Sequence, residues 1–204
     1  MEQEQAGAYD PSMPVHNVVK PDDLSTWELT WTLGVTPWEV GEIQPALREA
    51  IEQSGIDFAR NGRALVPGCG SGYEITYIAS ALGHDTLGLD IAPTAIRRAN
   101  DTIQKGKSEN PNIRASVQMT DFFTFDPPED SRFDLIYDYT FFVAIPPAMR
   151  PDWAKQMTKL VKPGGYLITL VFPILPFEKV LDKVPEVSTE KHVNRERLVV
   201  WKRL

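Results

Sequence analysis

The sequence predicts an α/β fold in which helices cover both faces of a doubly wound, mostly parallel sheet. The first observation is a strand, a glycine turn and a helix in succession: an apolar run at 64–66, the turn at 67–72, and apolar residues at helical spacing over 75–82. The second is another apolar run, 85–90, which ends in an acid. The third is that strands and helices alternate as far as residue 172, which is typical of an open parallel sheet with its site at the carboxyl ends of the strands.

The glycine turn has three glycines spaced two residues apart, Gly68, Gly70 and Gly72. Such a turn can take positive φ angles, and its backbone can approach a ligand without interference from a Cβ atom. The helix that follows begins with free N–H groups and the positive end of its dipole, which suit a carboxylate or a phosphate. A tight strand–helix connection without a ligand has the same composition, so the turn alone leaves both interpretations open.

Asp90 is at the carboxyl end of the second predicted strand. In a doubly wound sheet, an acid at this position accepts hydrogen bonds from the ribose hydroxyls of a nucleotide. Alternatively, it caps the next helix, which begins near Pro93. The turn and the acid together fit either a dinucleotide or S-adenosylmethionine, and the spacing G-x-G-x-G, in place of G-x-G-x-x-G, favours the methyl donor.

The composition of the chain limits its domain organisation and the classes of partner, metal and location that we expect. The length of 204 residues fits one domain, which we expect over 21–204, after a polar, flexible N-terminus over 1–20. The net charge of -7, with no basic run, disfavours nucleic acid as a partner. A single cysteine excludes an internal disulfide, and no Cys/His cluster has zinc spacing, so we expect no metal. An acidic N-terminus and the lack of an apolar run near 18 residues predict a cytoplasmic protein without membrane contact.

Two helices and an extended corner are predicted before the first strand, with helices over 21–34 and 45–55. Trp27 and Trp31 share one face of the first helix, and Trp38 lies in the corner. These three tryptophans form either a hydrophobic lid packed on the sheet or an aromatic cover over a ligand. The second interpretation suits a sulfonium cation, which is attracted to aromatic faces.

The downstream elements follow in the order that the fold requires: a helix over 93–104, strands over 114–119 and 133–139, a helix over 146–160 and a strand over 166–172. Asp121 and Phe122 follow the third strand, where an adenine ring could stack and donate its amino group. A plain turn is the alternative for these two residues.

Several of these motifs carry a family resemblance. The segments 66–72, 88–90, 133–139 and 162–170 resemble class I S-adenosylmethionine-dependent methyltransferases, which have a Rossmann-like fold. Trp27-x3-Trp31, together with 34–38 and 149–154, is similar to the thiopurine S-methyltransferase-like group, nearest its fungal and plant thiol or halide methyltransferase branch. The resemblance covers about residues 27–174 and resumes over 179–203.

The resemblance implies roles for the matching positions. The implied donor-binding residues are Trp27, Trp31, Trp38, Gly68, Gly70, Asp90, Asp121, Phe122 and Tyr139. Arg150 matches an arginine that faces the acceptor in some members, although a surface residue near a helix start is the alternative. Cys69 is interpreted as a small packing residue, since no basic neighbour lowers its pKa.

The implied activity is methyl transfer from S-adenosylmethionine to a small soft nucleophile, a thiol or a halide. Because a thiolate is already a strong nucleophile, alignment and removal of water can supply much of the rate enhancement. A general base is therefore not required, and the sequence assigns no catalytic residue.

One segment departs from the family. Members ordinarily carry a Gly-Pro-Pro-Tyr-like loop and a helix after the fifth strand, whereas only about four to six residues separate 172–174 from the next apolar run at 179–184. A parallel crossover needs roughly a dozen residues. We therefore expect an incomplete C-terminal β-α-β region, in which the sixth strand and its covering helix cannot both form, and a last strand, 197–203, antiparallel to the fifth.

The shortening leaves a second function class open. An incomplete acceptor pocket would fit a non-catalytic or repurposed methyltransferase-like protein that binds the donor or a protein partner. Uncovered apolar surface on the C-terminal side would promote self-association. A dinucleotide or nucleotide-sugar enzyme is a third reading, disfavoured by the glycine spacing.

Overall fold

A computed structural model describes residues 15–20, 23–169, 177–187 and 198–203. The α-helices are α1 Ser25–Leu33, α2 Pro45–Gln53, α3 Tyr73–Leu82, α4 Pro93–Glu109, α5 Phe141–Ala144 and α6 Arg150–Leu160. The strands are β1 Arg63–Pro67, β2 Asp85–Asp90, β3 Ala115–Met119, β4 Phe133–Asp138, β5 Val161–Thr169, β6 Phe177–Lys183 and β7 Leu198–Arg203. In this part of the chain no helix is long and apolar enough to cross a bilayer.

The strands form one sheet in the order β3-β2-β1-β4-β5-β7-β6. The strands from β3 to β5 pair in parallel, whereas β7 is antiparallel to both β5 and β6. The predicted doubly wound, mostly parallel sheet is therefore confirmed. The strand order reverses between β1 and β4, and ligands of such sheets bind outside the carboxyl ends of the strands at this switch point.

Hydrophobic side chains cover both faces of the central strands, as expected for buried parallel strands. In β1, Ala64 and Val66 pack into the core formed with α2, α3 and α4, whereas Leu65 packs into the core formed with α6. Successive residues of a strand point to opposite faces, so this apolar run supplies both cores at once. The end of β1, and with it the glycine turn, is thereby held rigidly between the two layers.

Some boundaries differ from the prediction. Helix α4 continues through Lys105 and Gly106, where the sequence predicted its end, to Glu109. A Cβ atom at Gly106 would lie 3.1 Å from Cγ2 of Thr76, so this glycine allows α4 to pack closely on α3. The turn at 162–165 lies within β5 as a bulge, and the short helix α5 was not predicted. A 3-10 turn at Pro147–Met149 precedes α6, which therefore begins later than predicted.

The sixth strand forms in spite of the short connection before it. On one side of β7, Phe177 at the start of β6 pairs with Arg203. On the other side, Tyr166 of β5 pairs with the neighbouring residue Lys202. The end of β5 and the start of β6 therefore lie roughly 17 Å apart, with β7 between the two strands. Seven residues, 170–176, separate β5 from β6 in the sequence. The expected absence of the covering helix itself concerns residues that lie outside the described part of the chain.

Helix α2 covers one face of the C-terminal strands. Leu198 and Val200 of β7 are fully buried in the core that includes α2, and Glu49 of α2 forms an ion pair with Lys183 of β6. Apolar side chains are still exposed in β6 at Val180 and after it at Val184 and Val187. Self-association through this side stays a prediction.

At the N-terminal side, Val18 is buried, and the Lys20 N–H donates to Oγ1 of Thr26 at 3.0 Å. The described end of the segment predicted to be flexible thus packs on the domain, and residues 1–14 lie outside the described residues.

Candidate functional site

The glycine turn follows β1 at the switch point, and its three glycines all have positive φ, at 57°, 53° and 74° for Gly68, Gly70 and Gly72. Backbone hydrogen bonds hold the turn, with the Cys69 N–H donating to the Leu89 carbonyl at 2.9 Å. A Cβ atom at Gly68 would lie 2.6 Å from the Phe141 ring, and one at Gly72 would lie 3.0 Å from Ala99 Cβ. Both conformation and packing therefore require glycine here.

Asp90 binds the turn directly. Its Oδ2 accepts the Gly70 N–H at 3.0 Å, and its Oδ1 accepts the N–H of Ala92, which immediately precedes α4, at 2.9 Å. Burial raises the pKa of the Asp90 carboxyl, and the bonds from Ala92 and Gly70 oppose this rise. The carboxylate thus supports the start of α4 and the glycine turn together. Each oxygen keeps further acceptor capacity, which a ribose hydroxyl could use.

The three tryptophans form a lid over the turn. Trp38 makes edge-to-face contacts with Trp27 and Trp31, at centroid distances of 5.7 and 6.1 Å. Trp31 is buried against Ala92, and its ring lies 3.5 Å from the position of a Cβ atom at Gly70. Packing thus accounts for Trp31, while the half-buried Trp38 faces a cleft and keeps the interpretation as a ligand cover.

Side chains of α1 and α4 fasten this lid. The Glu28 carboxylate accepts the backbone N–H of Thr94 at 2.9 Å and its hydroxyl at 2.7 Å, at the start of α4. The Arg98 guanidinium lies 5.1 Å from the centroid of the Trp31 ring, in cation–π geometry. Because a carboxylate at a helix N-terminus is favourable, Glu28 holds α1 beside the glycine turn.

An open cleft with about 410 Å³ of empty volume lies between the turn, the first turn of α3, the segment 38–44 and the residues after β4. Four of the predicted donor-binding residues line this cleft: Trp38, Gly68, Gly70 and Tyr139.

The other predicted residues lie around the cleft. Asp121 accepts the Phe123 N–H at 2.9 Å, and Phe122 is buried in edge-to-face contact with Phe141. Both follow β3, which pairs in parallel with β2, so they lie at the same edge of the sheet as Asp90. Arg150 lies outside the cleft lining, with its guanidinium 4.9 Å from the Phe142 ring centroid.

The cleft also contains polar residues that the sequence analysis missed: Glu39, Glu42, Gln44 and Glu74. Burial raises the pKa of Glu74 to about 7, and the charge of Glu39 adds to this rise. An acid in the first turn of a helix ordinarily stabilises the helix dipole, so Glu74 gave no functional signal in the sequence. Glu39 directly follows Trp38 in the sequence, and this position next to a predicted donor-binding residue could have indicated that Glu39 lies in the cleft.

Asp138, at the end of β4, fixes the position of the chain segment that borders the cleft. Its carboxylate is fully buried and accepts the Trp153 indole N–H at 2.8 Å and the Phe142 N–H at 3.2 Å. Burial raises its pKa to about 6, against the opposing effect of these donors. Asp138 therefore links β4, α5 and α6, and it immediately precedes the cleft residue Tyr139 in the sequence.

Glu74 should make stability depend on pH. Its folded pKa of about 7 lies above the usual 4.5, so the folded chain holds this proton when the unfolded chain has released it. Stability should therefore fall as pH rises from 4.5 to 7, and Glu74→Gln should remove this loss. At pH 8 we expect the variant to be more stable by about 1–2 kcal/mol, below the full linkage value because the carboxylate faces an open cleft. Urea unfolding at pH 4.5 and 8 measures the free energy of unfolding of both proteins, with a substitution of an exposed acid, Glu109→Gln, as the control. Equal stability of the wild type and Glu74→Gln at pH 8 would contradict the prediction.

Comparison with known proteins agrees with this architecture. A family model described as thiopurine S-methyltransferase matches residues 22–178. The chain is 46% identical over 160 residues to probable thiol methyltransferase 2 of Arabidopsis thaliana, covering 78% of this chain and 66% of the relative. It is 40% identical over 168 residues to thiocyanate methyltransferase 1 of Brassica oleracea, covering 78% and 70%. The chain thus spans about two thirds of the length of these curated relatives.

Among solved structures, 1,6-didemethyltoxoflavin-N1-methyltransferase of Burkholderia thailandensis superposes with a TM-score of 0.66. The two chains are 16% identical, and the match covers 94% of this chain and 92% of the other, so it supports the fold alone. The family model and the plant relatives confirm the resemblance. The chain belongs to the thiopurine S-methyltransferase family.

Proposed function

We propose that this chain is an S-adenosylmethionine-dependent S-methyltransferase that acts on a small-molecule thiol. The observation that carries the proposal is the meeting of the glycine turn, Asp90 and the tryptophan lid at the sheet's switch point, in a chain of this family. The names of the plant relatives, a thiol and a thiocyanate methyltransferase, support a soft sulfur acceptor. A halide acceptor, a cytoplasmic location and the absence of nucleic acid and membrane partners remain parts of the proposal.

The site fits the methyl donor. At Gly70 a Cβ atom would meet Glu39 at 2.6 Å and the Trp31 ring at 3.5 Å, so the missing side chain lets Glu39 and the lid approach the turn closely. Asp90 would take the ribose hydroxyls with its remaining lone pairs, and Asp121 would take the adenine amino group. The buried Phe122 would support the adenine from below, since its ring is only 2% exposed.

S-adenosylmethionine would supply its sulfonium methyl group: the thiolate sulfur would form a bond to the methyl carbon in line as the carbon–sulfonium bond breaks, and S-adenosylhomocysteine would leave. The chain's residues would hold the two sulfur atoms in line and exclude water, which is sufficient for a strong nucleophile. Trp38 and Tyr139 both line the cleft and are suited to this enclosure. No residue is assigned as a base.

The proposal is tested by incubating the chain with S-adenosylmethionine and a panel of small thiols, with mass detection of the S-methyl product and of S-adenosylhomocysteine. We expect both products in equal amounts with at least one thiol. Donor consumption that is never matched by a methylated thiol would contradict the proposal.

The alternative, a donor-binding protein without efficient transfer, is favoured by one observation: only seven residues, 170–176, connect β5 and β6. We therefore expect that grafting a family-length loop and helix between Ile174 and Phe177, before β6, leaves donor affinity unchanged, because the glycine turn and Asp90 precede the graft. Acceptor positioning should improve, and turnover should rise at least about tenfold. If the apolar side beside β6 drives self-association, the graft should also lower the mass in solution measured by sedimentation. Full thiol methylation by an unmodified, monomeric chain would contradict both expectations.

The proposal that Trp38 covers the bound donor leads to a separate prediction. Trp38→Ala should weaken S-adenosylmethionine binding by about 1–2 kcal/mol through loss of the cation–π contact and of enclosure, with a smaller change in unfolding free energy. Trp38→Phe retains an aromatic face and should bind nearly as the wild type does. Fluorescence titration measures both variants. A donor that leaves tryptophan fluorescence unchanged, together with a Trp38→Ala chain that unfolds, would assign Trp38 to packing alone.

A further inference from the structure

Two carboxylates approach Gly70 of the glycine turn. Asp90 accepts its backbone N–H at 3.0 Å, and a Cβ atom at Gly70 would lie 2.6 Å from Oε1 of Glu39. The same Glu39 oxygen accepts the Ser71 N–H at 3.4 Å, just before α3 begins at Tyr73. Backbone N–H groups at the start of a helix ordinarily bind an anionic group of a ligand. Because a protein carboxylate already faces this N–H, a phosphate or carboxylate of a ligand would meet like charge here.

No positive side chain balances Glu39 in the cleft. Glu42 and Glu74 line the cleft beside it, and of the described residues that form the lining, all within 38–140, none is Lys, Arg or His. Burial raises the pKa values of Glu74 and Asp90, and the charge of Glu39 adds to both rises. Acids that oppose one another's ionisation in this way favour a ligand that brings positive charge.

The amide of Gln44 is a second, independent sign that a ligand belongs in this cleft. Gln44 lines the cleft and is 0% exposed, and neither its Oε1 nor its Nε2 has a hydrogen-bond partner. A buried amide without partners is unfavourable, and each such group calls for an explanation. Its oxygen can accept from an ammonium, and its nitrogen can donate to a carboxylate. The amino-acid end of S-adenosylmethionine carries both groups, so the donor's carboxylate would have a partner other than the Ser71 N–H.

We infer that Glu39 selects the methyl donor by its charge, favouring S-adenosylmethionine over S-adenosylhomocysteine and so assisting release of the product. This inference rests on the proposed function and adds a specificity-determining residue to its donor site. The donor sulfur is a cationic sulfonium, and transfer of its methyl group to a thiolate leaves a neutral thioether. The product therefore has one positive charge fewer than the donor, in a cleft where Glu39 and the Trp38 ring both favour a cation.

This selection is compatible with an anionic sulfur acceptor. The sulfonium of the bound donor offsets the charge of Glu39, and in-line attack comes from the side of the methyl carbon opposite the donor sulfur. The acceptor therefore need not contact Glu39. Thiolate and sulfonium lose their opposite charges together in the transfer, so the loss of attraction to Glu39 falls on the product alone.

The α-ammonium of the donor is the other positive group that Glu39 could bind. S-adenosylhomocysteine keeps this ammonium and lacks only the methyl group and the sulfonium charge. The difference in affinity between the two compounds therefore reports on the sulfonium. Sinefungin, which carries an ammonium on carbon in place of the methylsulfonium, retains the positive charge and cannot transfer a methyl group.

The test titrates the full chain calorimetrically with S-adenosylmethionine, S-adenosylhomocysteine and sinefungin. We expect the two cationic compounds to bind at least about fivefold more tightly than S-adenosylhomocysteine, because only they place a positive charge near Glu39. Equal affinities for the three compounds, or tighter binding of S-adenosylhomocysteine, would overturn the inference. This comparison uses the wild type and does not depend on the folding of a variant.

The variant Glu39→Gln assigns the selectivity to one side chain, since its amide oxygen can still accept the Ser71 N–H. We expect it to weaken binding of S-adenosylmethionine and sinefungin at least about fivefold and that of S-adenosylhomocysteine less than about twofold. Glu39→Asp keeps the charge and should keep most of the preference. Glu109→Gln, which removes an exposed acid at the end of α4 outside the cleft, is the control and should change none of these affinities. Equal weakening of all three compounds in Glu39→Gln would assign Glu39 a structural role and overturn the inference.

Turnover with a thiol, measured in parallel, separates this inference from the proposed function. In Glu39→Gln, S-adenosylhomocysteine should inhibit more strongly relative to the KM for S-adenosylmethionine, by the same factor of at least about five. Thiol methylation by a chain that binds the three compounds equally would leave the methyltransferase standing and overturn the inference. Charge-selective binding without any methyl transfer would support the role of Glu39 and refute the methyltransferase. A folded chain that binds none of the three compounds would overturn both.

Discussion

Replacing Asp90 with alanine should weaken S-adenosylmethionine binding by about 1.5–3 kcal/mol, the range for hydrogen bonds to a charged group. The variant loses the expected acceptor of the ribose hydroxyls. It also leaves the Gly70 and Ala92 N–H groups without the carboxylate that they now bind, at 3.0 and 2.9 Å. Equilibrium dialysis with labelled donor measures the loss directly.

Asp85→Ala is the matched control for this prediction, since Asp85 is exposed at the opposite end of the same strand. We expect it to bind the donor as the wild type does. Equal donor affinity in Asp90→Ala and Asp85→Ala would remove Asp90 from the site and leave it only its structural contacts.

Replacing Asp138 with alanine should lower the free energy of unfolding by about 2–4 kcal/mol, because two buried donors lose their acceptor. These donors are the Trp153 indole N–H and the Phe142 backbone N–H, which belong to α6 and α5. For a chain of this length the loss corresponds to a decrease of roughly 5–15 °C in Tm. Thermal unfolding followed by circular dichroism measures it.

Asp138→Asn tests the same hydrogen bonds with a smaller change, because it keeps the size of the side chain and one oxygen acceptor. Its amide oxygen can still accept the Trp153 indole N–H, and it mimics the neutral acid that burial favours, with a pKa of about 6. We expect it to retain most of the stability that Asp138→Ala loses. A Tm for Asp138→Ala within about a degree of the wild type would show that these hydrogen bonds contribute little.

The sequence predicted those parts of the fold that depend on local pattern. The apolar run 85–90 matches β2 residue for residue, and the positive φ values of the glycine turn follow from residues that favour them. Helix α1 ends at Gly34, which adopts the left-handed conformation expected at that position. In each case neighbouring residues determine the result.

Prediction failed where distant contacts decide the structure. The sequence predicts a helix end at Gly106, but α4 continues through it, and close packing against Thr76 explains the glycine. The cleft brings Glu39, Glu42 and Gln44 together with Glu74, about thirty positions away, and nothing in their local sequence shows that they share a cleft. The sequence predicted only that the sixth strand and its covering helix cannot both form, and the pairing of β6 with β7 shows that the strand is present.

The most direct test of the central claim, a methyl-donor site at the glycine turn, is a calorimetric titration of the folded chain with S-adenosylmethionine. We expect a saturable isotherm with one donor per chain. A folded chain, verified by its thermal transition, that gives no saturable heat with S-adenosylmethionine would contradict the donor site and the function built on it.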